Sequence, residues 1–330
     1  MNVAINGMGR IGRLLFRRLA LLDDINLVAV NDIMPVENLV YLIRYDSVYG
    51  TFPGEITSSG EDFRVNDKNI RVFRADHPSA LPWKELAIDI VLECAGRFTT
   101  QATAATHLQA GARKVLLSTT GSDDIPLLIW GVNQDSMTNN MDIISPGGCM
   151  TNCAAPLLKI LNSMGLLSVQ LNILHSYTSR QELVDAPHKQ FRRGRAAAES
   201  IIPVEIDLHQ SLERLFPQLT GRMACLSTRI PVANGAMADF SVQLAKPVKA
   251  IEINEALKHA AANEYHGILG YSEEELVSLD LKGNSHSMVI DAKLTSAVEN
   301  HLKLIAWFDN EYGFTSRMID WLNLLKKQID

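Results

Sequence analysis

Asn2-Val3-Ala4-Ile5-Asn6-Gly7-Met8-Gly9-Arg10-Ile11-Gly12 begins as a short apolar run and closes on three glycines spaced G-x-G-x-x-G. Leu14-Leu15-Phe16 and Leu19-Ala20-Leu21 follow at helical spacing, so the glycines fall between a strand and a helix. In that setting Gly7 permits a tight turn, Gly9 lets a pyrophosphate approach the backbone, and Gly12 lets helix and strand pack closely. The helix amino terminus, with Ile11 in its first turn, offers N–H groups and a positive dipole end to phosphate oxygens. Arg10 is either a pyrophosphate contact or a solvated arginine. The glycine pattern alone is weak. Its context strengthens it: Ile25 to Val30 reads as a second β-rich run, and Asp32 follows it, 20 residues after Gly12. A carboxylate there accepts hydrogen bonds from ribose hydroxyls and repels a ribose phosphate, which favours NAD over NADP. A turn-capping Asp32 is the alternative.

Further runs that read as buried parallel strands are Ile88 to Leu92, Lys114 to Leu117, Leu127 to Trp130 and Ile143-Ile144. Helical patterns such as Thr100 to Ala110 separate several of them. This alternation predicts an α/β chain that opens with a Rossmann-type, doubly wound nucleotide domain over residues 1–148. After about Pro146 the texture changes. A helix is expected over Ala154 to Ser163, then longer strands over Ser168 to Tyr177, Thr228 to Ile230, Ala238 to Leu244 and Lys303 to Phe308. Amphipathic helices are expected over Ile251 to Asn263 and Arg317 to Lys327. Long strands with fewer helices between them predict an α+β catalytic domain, residues 149–313, built on a mixed or antiparallel sheet.

Of the 330 residues, 47% are hydrophobic and only 6% aromatic, so aliphatic packing should dominate a sizeable core. A net charge of −6 argues against a general nucleic-acid or membrane-surface role. The start reads as a core strand rather than a signal peptide, and no apolar run reaches about 18 residues. Four cysteines without a second Cys or His pair suggest neither a disulfide framework nor a metal site. A cytoplasmic location is the default.

Cys149-Met150-Thr151-Asn152-Cys153 follows the small-residue turn Ser145-Pro146-Gly147-Gly148 and precedes the expected helix. A thiol at a helix amino terminus should have a lowered pKa. Beside a nucleotide site such a thiolate could attack an aldehyde carbonyl, and the adduct could deliver hydride to a nicotinamide. A cysteine that merely fills the core is the competing reading. Cys153, one turn onward, reads as structural.

Several segments together resemble the glyceraldehyde-3-phosphate dehydrogenase family, which includes the erythrose-4-phosphate enzymes. They are Ile5 to Arg13, Val30-Asn31-Asp32, Tyr45-Asp46-Ser47, Cys149 to Pro156 and His175-Ser176-Tyr177-Thr178. Arg195-Ala196-Ala197, Ile201-Ile202-Pro203 and Trp307 to Gly313 continue the match in the same order. The resemblance implies a two-domain homotetramer whose final helix, residues 314–330, returns to the nucleotide domain. It implies NAD as cofactor and a phosphorylated small-molecule aldehyde as substrate. Cys149 matches the nucleophile, His175 the residue that activates the thiol and shuttles the proton, and Asn310 the holder of the nicotinamide carboxamide. Thr178 and Arg229 match positions that bind the substrate phosphate, while Ser118 and Thr119 fall where the family passes its chain along the cofactor. Without the resemblance, His175 on an apolar strand reads as a core histidine.

The chain departs from the phosphorylating members of that family at their second anion site. Hydroxyl residues flank the cysteine in those members; here Gly148 and Met150 stand instead, with Thr151 the nearest hydroxyl on its far side. After Pro203 the chain reads Val204-Glu205-Ile206-Asp207-Leu208, and two carboxylates there would repel phosphate. Arg180 adds a cation that restores one contact. The expectation is therefore erythrose 4-phosphate oxidation with hydrolytic release of the acid. Phosphorylating oxidation of glyceraldehyde 3-phosphate is the alternative, and a weakly catalytic NAD-binding homologue the second.

Overall fold

The computed structural model describes residues 1–60 and 62–329. The chain separates into two compact units: Met1–Leu128, Asn133–Gly148 and the chain from Arg317 onward form the first, and Ile129–Val132 with Cys149–Ser316 the second.

The first unit is built on an eight-stranded sheet. Its strands run in the order Ile143–Ile144, Lys114–Leu117, Ile90–Glu93, Asn2–Asn6, Asn26–Asn31, Lys68–Phe73, Asp62–Val65 and Ile56–Ser59. The first six are parallel; Asp62–Val65 runs antiparallel to Lys68–Phe73, and Ile56–Ser59 antiparallel to Asp62–Val65. The central strands are buried on both faces, which is why Ile90–Glu93 and Lys114–Leu117 read as apolar runs without alternation. Helix Arg10–Leu19 lays Leu14, Leu15 and Leu19 into the core. Helix Gln101–Gln109 begins at a reciprocal cap in which Thr100 and Thr103 each accept the other's backbone N–H, worth about 1 kcal/mol.

In the second unit the sheet order is Ile202–Val204, Met223–Ile230, Leu166–Ser176, Ala236–Leu244, His301–Phe308, Met288–Asp291 and Leu269–Ser272, with Ser296–Val298 paired to His301–Phe308. The sheet is mixed: Leu166–Ser176 runs parallel to Met223–Ile230 and antiparallel to Ala236–Leu244. The parallel register puts His175 opposite Arg229. Residues 54 positions apart thus become neighbours on one sheet face.

Three local expectations change. Leu127 to Trp130 is not a strand. Only an isolated bridge joins Leu127 to Ser145, because Gly131 adopts φ +82° and Ile129–Val132 closes a turn. The helix expected from Ala154 starts at Cys149 and runs to Ser163. Pro156 therefore lies inside it, a position that costs about 3 kcal/mol in an isolated helix. Burial of Cys153, Ala154, Ala155, Leu157 and Leu158 offsets that cost. The last helix starts earlier than Arg317, at Tyr312, and reaches Ile329.

Candidate active site

In the first unit the glycine loop has the geometry of a dinucleotide cradle. Gly7 takes φ +93°, and a Cβ there would lie 2.3 Å from the Ala95 nitrogen; one on Gly12 would lie 2.0 Å from the Gly7 oxygen. Gly9, which caps helix Arg10–Leu19, is different: a Cβ there would meet nothing of the protein. Packing therefore accounts for Gly7 and Gly12, and the open space at Gly9 fits a pyrophosphate approaching the helix terminus. Ile11 is half-buried in the first turn.

Asp32 follows strand Asn26–Asn31 and accepts from Met8 N–H at 2.6 Å and Met34 N–H at 2.9 Å. It locks the glycine loop onto the neighbouring strand end while keeping its charge beside it. Arg10 is committed elsewhere: its guanidinium forks onto Asp46 and lies over Tyr49. Ser118 and Thr119 follow strand Lys114–Leu117, with Ser118 N–H donating to the Glu93 carbonyl and the Thr119 carbonyl accepting from Ser145 Oγ.

In the second unit Cys149 is the first residue of its helix, with Thr151 buried two residues further in. The Cys149 Sγ lies 3.7 Å from His175 Nε2. His175 Nδ1 lies 2.7 Å from the Ser176 carbonyl oxygen, an acceptor only, so the imidazole proton sits on Nδ1. Nε2 then faces the thiol with its lone pair, the arrangement of a general base and its nucleophile.

The expected lowering of the thiol pKa is not found. Burial pushes Cys149 up to about 11, against the opposing influence of Arg229 and the helix N–H groups of Met150 and Cys149, and the Glu311 carboxylate raises it further. Burial and then Arg229 push His175 down to about 3. Desolvation outweighs the helix N–H groups at this half-buried position. Both shifts disfavour the charged form, so thiol and imidazole are each held toward neutrality when taken singly.

Arg229 lies next to this pair and is 7% exposed; its Nε and one NH group are buried without a hydrogen-bond partner. Arg193, also buried, keeps one NH group unsatisfied, and Gln181 its Nε2. Arg180 is exposed and adds its field to both arginines. Among the described residues none of these three arginines has an ion-pair partner. Buried donors without acceptors around a cationic centre fit an anionic ligand. Thr178 points its hydroxyl at Gln181 Oε1, 2.9 Å away. Gly148 lies at the end of the first unit, and a Cβ there would meet open space.

Asn310 is held by its oxygen, which accepts from Gly235 N–H at 2.9 Å and Ser176 Oγ at 3.2 Å, so its NH₂ is the group available to a ligand. Ser176 thus touches both His175 and Asn310. Sequence reasoning missed Arg193, Gln181 and the positioning role of Ser176. Ser176 ends its strand, Gln181 lies in the turn after it, and Arg193 sits in the short helix Phe191–Gly194, whose Arg193 carbonyl accepts from Glu182 N–H.

Two family profiles match the chain. Glyceraldehyde 3-phosphate dehydrogenase, NAD binding domain, matches residues 1–101, and Glyceraldehyde 3-phosphate dehydrogenase, C-terminal domain, matches residues 148–310. The chain is 41% identical to a glyceraldehyde-3-phosphate dehydrogenase of Priestia megaterium over 323 residues, 97% of this chain and 96% of that one. It is 41% identical to that of Geobacillus stearothermophilus over 323 residues, with the same shares. It is 39% identical to that of Podospora anserina over 331 residues, 99% of this chain and 98% of that one. An NAD-binding glycine loop in one unit, a paired thiol and imidazole in the other, and these matches together make the chain a member of the glyceraldehyde-3-phosphate dehydrogenase family.

Proposed function

We propose that this protein oxidises glyceraldehyde 3-phosphate with NAD through a thioester on Cys149. The 3.7 Å contact between Cys149 Sγ and His175 Nε2, with Nδ1 tied to a carbonyl, carries the reading. His175 takes the thiol proton, and the thiolate adds to the aldehyde carbon. The protonated imidazole then hydrogen-bonds the oxygen that becomes negative. NAD, when bound, accepts the hydride. Asn310, with its oxygen already taken, would hold the nicotinamide carboxamide through its NH₂. Arg229, together with Thr178, takes the substrate phosphate, on its unsatisfied guanidinium groups. Residues 1–148 with the terminal helix serve NAD, and residues 149–313 serve the aldehyde.

The names of the relatives favour glyceraldehyde 3-phosphate over the erythrose 4-phosphate first expected. One observation still favours hydrolytic release: Gly148 and Met150 offer no hydroxyl beside the thiol, and Glu205 and Asp207 lie exposed after Pro203. A homotetramer is proposed on the family's precedent. Leu183, Val184, Phe191 and Ile201, all more than two-thirds exposed, form apolar surface suited to burial between copies. Among the described residues no helix is long and apolar enough to cross a membrane, and no cluster could hold a metal ion.

NADH formation tests the reading when followed with glyceraldehyde 3-phosphate, erythrose 4-phosphate and unphosphorylated glyceraldehyde, each with and without inorganic phosphate. The highest kcat/KM is expected with glyceraldehyde 3-phosphate. A higher value with erythrose 4-phosphate, together with turnover in phosphate-free buffer, would reinstate the hydrolytic reading. No NADH with any of them would leave only a binding homologue.

A further inference from the structure

Beneath the glycine loop runs a chain of polar side chains that nucleotide recognition does not itself explain. It crosses the carboxyl ends of three parallel strands in the first unit, where open α/β sheets bind their ligands. Asn31, at the end of its strand, accepts from Ala75 N–H at 2.8 Å and donates from Nδ2 to Asn6 Oδ1 at 2.7 Å. Asn6 donates from its own Nδ2 to Glu93 Oε2 at 2.5 Å. Glu93 Oε1 accepts from Ala95 N–H at 2.7 Å, and Oε2 is also 2.9 Å from His107 Nε2. The chain ends at Trp83, whose Nε1 is 3.0 Å from His107 Nδ1. Asn6, Glu93 and His107 are at most 1% exposed.

The direction of every bond is determined. An indole N–H only donates, so His107 Nδ1 accepts and the imidazole proton sits on Nε2, facing Glu93. Asn6 Oδ1 is taken by Asn31, so its NH₂ must point at Glu93. All three partners of Glu93 are therefore donors, and both of its oxygens accept. Asn6 and Ala95, which bond Glu93 directly, and Asn31, which bonds Asn6, also adjoin the cofactor loop. Asn6 immediately precedes Gly7, Asn31 immediately precedes Asp32, and Ala95 is the residue whose backbone the Gly7 Cα packs against. Backbone bonds reinforce this, with Gly7 N–H donating to the Asn31 carbonyl and Cys94 N–H to the Asn6 carbonyl.

We infer that Glu93, oriented by His107, is a cofactor-positioning residue: its buried carboxylate gathers the backbone at Gly7, Asp32 and Ala95 into the NAD-binding arrangement. A buried carboxylate is costly unless its lone pairs are met. In meeting them, the three strand ends are drawn to a single point. The site proposed for catalysis lies in the other unit, so this role concerns the cofactor alone.

Glu93→Gln tests it. No flip of the amide suits the site, because its NH₂ must face either Ala95 N–H or the paired donors of Asn6 and His107. Kd and KM for NAD should rise about tenfold, with kcat at saturating NAD and KM for the aldehyde changed less than twofold. Trp83→Phe is the control for stability. It removes the outer bond but leaves every bond to Glu93, so it should lower the melting temperature and leave Kd for NAD within twofold. If Glu93→Gln does not fold, His107→Gln and His107→Leu replace it. The first keeps a donor toward Glu93 and should bind NAD normally, whereas the second should bind several-fold more weakly. The inference is overturned if NAD affinity in these variants merely tracks the loss of stability, Trp83→Phe included, or if Glu93→Gln lowers kcat and leaves Kd unchanged. Because NAD binding is read directly by titration, the result stands whichever aldehyde the enzyme prefers.

Discussion

His107 and His175 are both buried, one in each unit, yet they carry their protons on opposite nitrogens. His107 accepts at Nδ1 from an indole and so presents an N–H at Nε2 to a carboxylate. His175 donates at Nδ1 to a carbonyl and so presents a lone pair at Nε2 to a thiol. The same side chain thus presents an N–H to a carboxylate in one place and a lone pair to a thiol in the other, which suits the proposed prop and the proposed base. What differs is the group behind it, an obligatory donor in one case and an obligatory acceptor in the other. Environment also separates them. His107 meets a carboxylate and belongs to a closed polar chain, whereas His175 lies beside a guanidinium and is pushed down to about 3, by burial first and by that charge second.

The sharpest way to break this comparison is to remove the reactive pair. Cys149→Ser should abolish NADH production while NAD titrates normally. His175→Asn should lower kcat roughly 10²–10⁴-fold, the range for a positioned acid–base group. His107→Asn should leave the alkylation rate of Cys149 nearly unchanged, and a loss as large as that in His175→Asn would erase the distinction.

The pH dependence of alkylation sharpens it further. Burial raises the Cys149 thiol above the usual cysteine value, so alone it forms thiolate only as pH approaches about 11. In His175→Asn the iodoacetamide rate should therefore climb close to tenfold per pH unit between about pH 7 and 9. The unaltered protein should show a shallower profile, since Nε2 takes the proton. Mass spectrometry should find Cys149 labelled before Cys94, Cys153 or Cys225, each of which burial also raises, without a base in contact.

A smaller effect is expected at Arg229. Losing its unsatisfied N–H groups in Arg229→Leu removes charge-assisted bonds of about 1.5–3 kcal/mol each, so KM for the aldehyde phosphate should rise about 10²-fold. Arg229→Lys keeps the charge but not the fork and should rise about tenfold. Unchanged KM in both would move the anion site to Arg193 and Arg180. The smallest effect concerns Asp32. Asp32→Ala should narrow the preference for NAD over NADP several-fold, although it also releases Met8 N–H and weakens binding of both. Equal use of both cofactors by the unaltered protein would remove the proposed role of its carboxylate.

Much of the nucleotide unit was legible because its signals are local. Gly7, Gly9 and Gly12 lie within six residues, and strand and helix periods flank them directly. The turn at Ile129–Val132 was misread because a short apolar run has no period of its own, and its outcome depended on φ at Gly131. The helix from Cys149 was entered late because Thr151, Asn152 and Cys153 look like loop residues until the core buries them. The thiol was misjudged for a related reason. A helix terminus can be read from order along the chain, but desolvation depends on everything packed around the sulfur.

By itself the sequence determined the glycine loop, the acid that follows it, the cysteine at a small-residue turn and the family to which these belong. The tertiary structure alone decided that His175 meets Cys149, that Arg229 stands opposite His175 in the sheet, and that Glu93 collects Asn6, Ala95 and His107 beneath the loop. Turn chemistry and dipoles act over a few residues and leave a pattern in the chain. Strand register, proton placement and burial join residues many positions apart, and they exist only once the sheets have formed.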